Sequence, residues 1–202
     1  MTMQRLTVQQ LLQQPLEYVL QPPAFRFYAT QGAVLLASLV AVVWSWLDAQ
    51  NGFELMHYVG LVFGGVLLLV SLWPASWSRQ RLINLAFDNE RLYLVNGNRK
   101  QAVSLPRERV RAVNKGKLPG HDGAIIAFTM DLQLNHDELA EVHQTLETQA
   151  EERFALGESC YRFGFVANWQ PRRTLLAAIA PLAPIVVVDE PVQDEDDDDW
   201  DD

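Results

Sequence analysis

Histidine and cysteine are the residues in this chain with the chemistry for metal binding or nucleophilic catalysis. The sequence has four histidines and one cysteine, Cys160. His136 and His143 are seven residues apart, so on a helix they share a face but lie about two turns from each other, too far to chelate one ion. His121 lies beside Asp122 in the loop-like stretch KLPGHDG. We therefore predict no metal site and no cofactor.

Cys160 is predicted to be a buried, inert thiol, because it begins an apolar stretch with no histidine nearby. A single cysteine also excludes a disulfide within the chain. The sequence contains no nucleophile elbow, phosphate loop, zinc spacing or paired-carboxylate motif. We therefore predict no catalytic residues and no enzyme. The alternative is a membrane enzyme whose site is assembled from scattered residues.

The net charge of −9 comes from the end of the chain. Ten of the 25 acidic residues lie between Asp189 and Asp202, so the rest has 16 basic residues against 15 acidic ones. Self-repulsion predicts that residues 191–202 form a disordered acidic tail. Trp200 is unusual in a purely solvating segment. The alternative is therefore a tail that docks on a partner, or on this protein's own basic residues.

Two long uncharged runs dominate the first 80 residues. They predict transmembrane helices at residues 28–47 and 56–77, joined by an external loop at 48–55. Aromatic residues collect at the ends of both runs, as in membrane-interface belts. The buried helices of a soluble hairpin would carry a polar stripe, which these runs lack.

Flanking charge predicts the orientation of this hairpin. Arg26 precedes the first run and Arg79 follows the second, whereas the connecting loop has acidic residues and no Lys or Arg. The positive-inside rule then places both termini in the cytoplasm of a bacterium, in a multi-pass inner-membrane protein. Residues 1–27 are expected to form a cytoplasmic N-terminal segment, with an amphipathic helix as one interpretation. Residues 174–188 are uncharged and give a third span as the rival topology.

Small residues predict how the two helices pack. A spacing of four allows helices to approach closely in lipid. The residues with this spacing are Ala33, Ala37 and Ala41 in the first run and Gly60 and Gly64 in the second. Because the loop is short, an intramolecular hairpin is the simplest interpretation, and a homodimer contact is the alternative.

Residues 78–190 are predicted to form a cytoplasmic α+β domain, with an antiparallel sheet and a long helix. Alternating apolar residues favour strands at 82–87, 91–95, 101–105, 110–113, 124–134 and 161–167. Asn96-Gly97-Asn98 is a hairpin-turn signal. Asn135 and Glu138 have the spacing of a capping box for a helix that runs to Phe154. Pro171 is expected to begin a short helix that ends near Pro181.

The segment NERLYLVNGNRKQAVSLPRERVRAV resembles the opening hairpin of bacterial pleckstrin-homology-like (PH-like) domains, which often follow two transmembrane helices. The positions that carry the resemblance are Asn89, Arg91, Leu92, Tyr93, Gly97, Val103, Leu105, Val110 and Val113. The predicted helix at 135–154 departs from that pattern, in which the main helix comes last. The resemblance implies a scaffold or binding domain at the membrane, with no catalytic residues.

A basic segment begins directly after the second apolar run. Between Arg79 and Lys117 there are ten Lys or Arg and three acidic residues. The candidates for contact with lipid or a partner are Arg79, Arg81, Arg107, Arg109, Arg111, Lys115 and Lys117. If residues 107–111 form a strand, its three arginines share one face. The alternative is topology signalling plus solvated charge. Nucleic acid is not an expected partner, because the tail is acidic and no stacking motif is present.

These features predict a non-enzymatic adaptor or assembly protein at the cytoplasmic membrane face, partly PH-like, whose partners are the phospholipid bilayer and an unidentified protein. A lipid-responsive sensor that binds anionic headgroups is the second hypothesis.

Overall fold

The described part of the chain forms two long apolar helices, three shorter α-helices and two antiparallel sheets. The computed structural model describes residues 3–50, 52, 54–114, 126–146, 151–152 and 159–182. Two predicted features lie outside the described residues: the acidic tail with Trp200, and the loop that contains Lys115, Lys117 and His121.

Helices α2 (Ala24–Ala49) and α3 (Leu55–Leu72) form the hairpin that the uncharged runs predict. At 1.5 Å per residue they are about 39 and 27 Å long, near the roughly 30 Å of a bilayer's hydrocarbon core. α3 ends earlier than the expected residue 77, because Pro74 follows and the chain continues as two 3₁₀ turns, Pro74–Trp77 and Arg79–Leu82. Only 11% of the apolar window in each helix is buried, so the hairpin projects from the rest of the protein.

The first sheet has five antiparallel strands in the order β1-β5-β4-β3-β2. Its centre is the predicted meander of β3 (Leu85–Phe87), β4 (Arg91–Asn96) and β5 (Gln101–Pro106). Both edges come from the N-terminal segment, as β1 (Gln4–Thr7) and β2 (Tyr18–Leu20).

The expectation of an amphipathic helix across residues 1–27 is therefore wrong. Only α1 (Val8–Leu12) is helical before the hairpin. Its Val8 and Leu11 are buried against one face of the first sheet, in a cluster with Tyr93 and Val95. The segment is held by the tertiary structure, because its strands pair with strands that come about 65 to 100 residues later in the chain.

The second sheet has four antiparallel strands in the order β6-β7-β9-β8. These are β6 (Val110–Asn114), β7 (Ile126–Gln133), β8 (Glu151–Glu152) and β9 (Cys160–Val166). The main core joins the two sheets, with Phe87 and Leu94 of the first in one cluster with Phe128, Met130 and Phe163 of the second. The predicted α+β domain is thus a double-sheet domain.

Helix α4 (His136–Leu146) begins at the predicted capping box. The backbone N–H of Glu138 donates to Asn135 Oδ1 at 2.8 Å, and the N–H of Asn135 donates to Glu138 Oε2 at 2.9 Å. The predicted continuation to Phe154 is wrong, because Glu151 and Glu152 pair with β9 as a strand.

Helix α5 (Arg172–Ile179) follows Pro171, as predicted, and continues as a 3₁₀ turn, Ala180–Leu182. Leu175 and Ile179 are fully buried in the main core, and Leu182 is nearly so. The described part of the proposed third span, residues 174–182, is therefore core helix of the double-sheet domain.

Candidate functional site at the base of the hairpin

Both ends of the hairpin are held by the same domain. Strand β2 immediately precedes α2, β3 follows α3 and its 3₁₀ turns, and these strands pair with each other at Leu20 and Leu85. The Arg79 guanidinium donates from Nη2 and Nε to the carbonyl oxygen of Pro22, at 2.6 and 3.1 Å. The hairpin therefore leaves and re-enters the domain at one place. We call this place the junction: residues 18–28, 73–84 and 168–170.

Asn168 ties the turn between β9 and α5 to both ends of the hairpin. Its Nδ2 donates to the carbonyl oxygens of Leu82 at 2.6 Å and Leu20 at 3.3 Å. Asn168 and Trp169 have φ angles of 48° and 61°. Asparagine tolerates this left-handed region well, whereas tryptophan rarely occupies it. The surrounding contacts therefore hold this turn in an uncommon conformation.

Gln170 adds a second tie on the side of the first helix. Its Nε2 donates to the carbonyl oxygen of Gln21 at 2.9 Å, and its Oε1 accepts from Tyr18 Oη at 2.6 Å. Burial raises the pKa of Tyr18, outweighing the opposing effect of this hydrogen bond. The Tyr18 hydroxyl is therefore a neutral donor at physiological pH.

Aromatic rings line the base of the hairpin. Trp169 stacks on Phe27 at 6.1 Å between ring centroids, and Tyr28 stacks on Trp77 at 6.4 Å. Arg26 Nη1 donates to the carbonyl oxygen of Trp169 at 2.8 Å. This mixture of amphipathic rings and cations is typical of the boundary between lipid and water.

The far end of the hairpin is closed by polar contacts. His57 Nε2 lies 2.8 Å from Asp48 Oδ2, and the backbone N–H of Glu54 donates to His57 Nδ1 at 2.9 Å. The polar loop thus fixes how α3 starts.

The packing between α2 and α3 uses part of the predicted set of small residues. A Cβ added at Gly64 would meet Val42 at 3.0 Å and Ala41 at 3.3 Å, so these helices approach closely there. Gly60 faces Ser45 instead of an alanine. Ala33 and Ala37 are exposed on the outer surface of α2. The predicted alanine face therefore meets the glycines only at Ala41, because α2 turns its serine side toward α3.

The predicted basic residues fall into two groups, of which one lies at the junction. Arg79 is described above, and Arg81 is exposed beside it, with Nη1 3.4 Å from the carbonyl oxygen of Ala75.

The second group, Arg107, Arg109 and Arg111, does not share a strand face, because Arg107–Arg109 forms a 3₁₀ turn before β6. Each of the three is held within the domain. Arg107 contacts the Pro181 carbonyl oxygen and lies 5.7 Å from the Phe87 ring centroid. Arg109 pairs with Glu138 at 3.0 Å, and Arg111 donates to Gln133 at 2.9 Å.

Among the described residues, the histidines and the cysteine are not brought together. His136 is exposed, whereas Nε2 of His143 is buried without a hydrogen-bond partner among the described residues. Within the same residues, no group of three or more His, Cys, Asp or Glu side chains is placed to hold a metal ion. Burial, and next the charge of Asp131, raise the pKa of the Cys160 thiol, which is therefore protonated at neutral pH.

The second sheet contains a buried polar cluster that was not predicted from the sequence. The Asp131 carboxylate is fully buried and accepts two hydrogen bonds from Arg162, at 2.7 and 2.9 Å. Asn114 Nδ2 donates to the same carboxylate at 2.8 Å. The alternation of side chains along β7 and β9 could have indicated this cluster, because it puts Asp131 and Arg162 on the sheet face opposite Phe128 and Phe163.

The Asn168–Gln170 turn could not be predicted from the sequence either, because its partners are backbone carbonyls far away in sequence.

Comparison of the chain with family models, curated proteins and solved structures finds no match. The arrangement at the junction can hold an apolar hairpin and a double-sheet domain in one fixed relation.

Proposed function

We propose that the chain is an integral inner-membrane protein of a bacterium, in which the hairpin crosses the bilayer and the double-sheet domain acts as a non-enzymatic adaptor at the cytoplasmic face. The observation that carries this proposal is the double attachment at the junction. Because strands on both sides of the hairpin belong to one sheet, the domain cannot swing on a single flexible linker.

Exposed apolar surface supports the membrane location. Among the described residues, ten large exposed apolar side chains lie on α2 and ten on α3, against four elsewhere. Soluble monomers rarely expose contiguous apolar patches larger than a few hundred Å². A bilayer would cover this surface, and the aromatic rings of the junction would lie at its interface.

Charge supports the cytoplasmic orientation. Arg26, Arg79 and Arg81 lie at the junction, whereas residues 48–55 contain two acidic residues and no Lys or Arg. The positive-inside rule places the junction in the cytoplasm and the loop on the opposite side.

Single-cysteine labelling tests this topology. Starting from Cys160→Ser, a cysteine is introduced at Gln50 in the loop or at Glu90 in the domain; both positions are exposed. A membrane-impermeant maleimide should label the Gln50→Cys variant in intact spheroplasts and the Glu90→Cys variant only in inverted vesicles or after permeabilisation. Equal labelling of both in spheroplasts would contradict the hairpin topology.

The adaptor role is tested by photo-crosslinking in cells. A photoreactive amino acid at exposed positions of the domain, such as Glu90 or Gln101, should give a discrete adduct with a second protein. The same residue at Leu36, on the exposed apolar face of α2, serves as the control for lipid-facing positions. A protein that stays monomeric and alone, in cells and after mild-detergent purification, would contradict the role.

A further inference from the structure

A basic cavity of about 350 Å³ lies next to the junction. Among the described residues, three cationic ones line it and no acidic one does. The lining cations are Arg81, Arg99 and Lys100, and Ser78 adds a hydroxyl group. The sequence analysis named Arg81 as a candidate for lipid or partner contact. Arg99 and Lys100 were not named, because only the folded chain places them at this cavity.

The fold brings these cations together from two separate segments. Gly97, at the start of the β4–β5 turn, packs so closely that an added Cβ would lie 2.4 Å from the carbonyl oxygen of Gln80. Its N–H also donates to the carbonyl oxygen of Ile83 at 3.2 Å. The turn that carries Arg99 and Lys100 is thereby held against the 3₁₀ turn that carries Arg81.

A third segment fixes the position of Lys100. The backbone N–H of Val8, at the start of α1, donates to the carbonyl oxygen of Lys100 at 3.1 Å. The Lys100 backbone has a φ of 57°, so this residue sits in the left-handed region as the turn closes. The cavity is therefore bounded by three backbone segments that hydrogen bonds and close contact hold together.

The cavity lies at the level where α3 ends. Arg81 reaches the carbonyl oxygen of Ala75, in the 3₁₀ turn that directly follows α3. That turn carries Trp77, whose Nε1 donates to the carbonyl oxygen of Ser71 at 2.7 Å in the last turn of α3. A hairpin that spans a bilayer would place this cavity beside the phosphate layer.

We propose that the basic cavity binds the phosphate of an anionic phospholipid headgroup from the adjoining leaflet. Arginine guanidinium and lysine ammonium groups are the usual phosphate partners, and a hydroxyl adds a hydrogen bond. The proposal rests on the membrane insertion argued above. It assigns lipid contact to Arg81, Arg99 and Lys100, which line the cavity, and not to Arg107, Arg109 and Arg111, which do not line it.

Native mass spectrometry of the full-length protein in detergent tests the proposal, with dioleoyl-phosphatidylglycerol and dioleoyl-phosphatidylcholine as probes. We expect the anionic lipid to bind more tightly than phosphatidylcholine. The triple variant Arg81→Gln/Arg99→Gln/Lys100→Gln should lose roughly 100-fold in affinity for phosphatidylglycerol, since each of the three cations near the surface contributes a factor of about five.

The matched control is the triple variant Arg5→Gln/Arg111→Gln/Arg173→Gln, which removes the same charge from exposed residues that do not line the cavity. It should keep the preference of the unmodified protein. Equal loss in the two variants, or no preference in the unmodified protein, would overturn the site. Displacement of the lipid by glycerol 1-phosphate at similar concentrations would overturn the choice of a lipid as the ligand.

Alkaline carbonate extraction of membranes separates this inference from the proposed function. All three proteins should stay in the membrane pellet. If the cavity variant loses its lipid preference but stays in the pellet, the result supports the cavity as the lipid site and leaves membrane insertion unaffected. Release of the unmodified protein from the membrane would overturn membrane insertion itself.

Discussion

At the scale of single residues, Asp88 organises the turn between β3 and β4. Its carboxylate accepts from Tyr93 Oη at 2.7 Å and from the backbone N–H groups of Glu90 and Arg91, at 2.8 and 2.7 Å. Burial opposes its ionisation, but these hydrogen bonds and the charge of Arg91 prevail and lower the pKa of Asp88. Burial, and next the hydrogen bond to Asp88, raise the pKa of Tyr93 to about 12.

These shifts predict opposite losses of stability at the two ends of the pH scale. The raised pKa of Tyr93 stabilises the fold below pH 10, and this contribution, about 3 kcal/mol, should disappear as pH rises from about 10 to 12. The lowered pKa of Asp88 contributes stability at neutral pH that is lost as pH falls below about 4. Tyr93→Phe should remove the alkaline loss, as measured by denaturant unfolding at several pH values. An unchanged alkaline slope in that variant would contradict the assignment to Tyr93.

Gly97 should be the least replaceable residue of the β4–β5 turn. A Cβ there would lie 2.4 and 2.5 Å from the backbone oxygens of Gln80 and Arg81, which cannot rotate away as a side chain can. We expect Gly97→Ala to reduce the free energy of unfolding by about 1–3 kcal/mol, measured by chemical denaturation in detergent. Asn98→Ala, at the exposed next position, is the control and should change stability by less than about 0.5 kcal/mol.

At the scale of elements, α4 depends on its capping box. Asn135→Ala removes the side-chain acceptor of the Glu138 N–H and should cost about 1 kcal/mol in thermal or denaturant unfolding. His136→Ala changes the adjacent exposed residue and leaves both cap hydrogen bonds in place. If the two variants were equally stable, the cap would contribute nothing to the fold.

The hairpin offers a matched pair of adjacent glycines. A Cβ at Gly64 would press on Val42 and Ala41, whereas one at Gly65 would meet nothing within 4 Å. Gly64→Val should therefore force the helices apart and lower the midpoint of thermal unfolding in detergent, at a cost of about 1–3 kcal/mol. Gly65→Val should leave that midpoint nearly unchanged. The opposite order would show that α2 and α3 pack through other faces.

Elements with strong local signals could be predicted from the sequence. The uncharged runs gave the hairpin, Asn96-Gly97-Asn98 gave the β4–β5 turn, and Asn135 with Glu138 gave the start of α4. The edge strands β1 and β2 have four and three residues, so their pattern is too short to separate from a loop. Their partners come from the other side of the hairpin. The likeness to PH-like domains stays a prediction.

The candidate site was predictable only in part. Arg79 and Arg81 could be found, because flanking charge is a property of sequence order. Arg99, Lys100 and Asn168 acquire their roles from contacts between segments that lie far apart along the chain. No periodicity reports such contacts.

At the scale of the whole molecule, the hairpin should be removable from the domain. Because Arg79 donates to the carbonyl oxygen of Pro22, a short Gly/Ser linker can join residues 1–22 directly to residues 79–202. We expect this linked protein to be water-soluble and cooperatively folded, as judged by circular dichroism and thermal unfolding.

Residues 79–202 alone provide the comparison. They lack β1, α1 and β2, so the buried side chains that pack on Leu11 and Leu20 would be exposed. This fragment should aggregate or lose its cooperative transition. If it were as stable as the linked protein, the N-terminal segment would be dispensable for the fold.

The N-terminal edge strands also set an order of events during synthesis. β1 and β2 leave the ribosome first, but the strands they pair with follow only after both apolar helices, up to Pro106. If the hairpin crosses a bilayer as proposed, this sheet can close only in a chain in which both helices have crossed. If only one helix crossed, β1 and β5 would lie on opposite sides of the bilayer and could not pair. Under that proposal, folding of the domain would select chains with the correct topology, because only they can complete the first sheet.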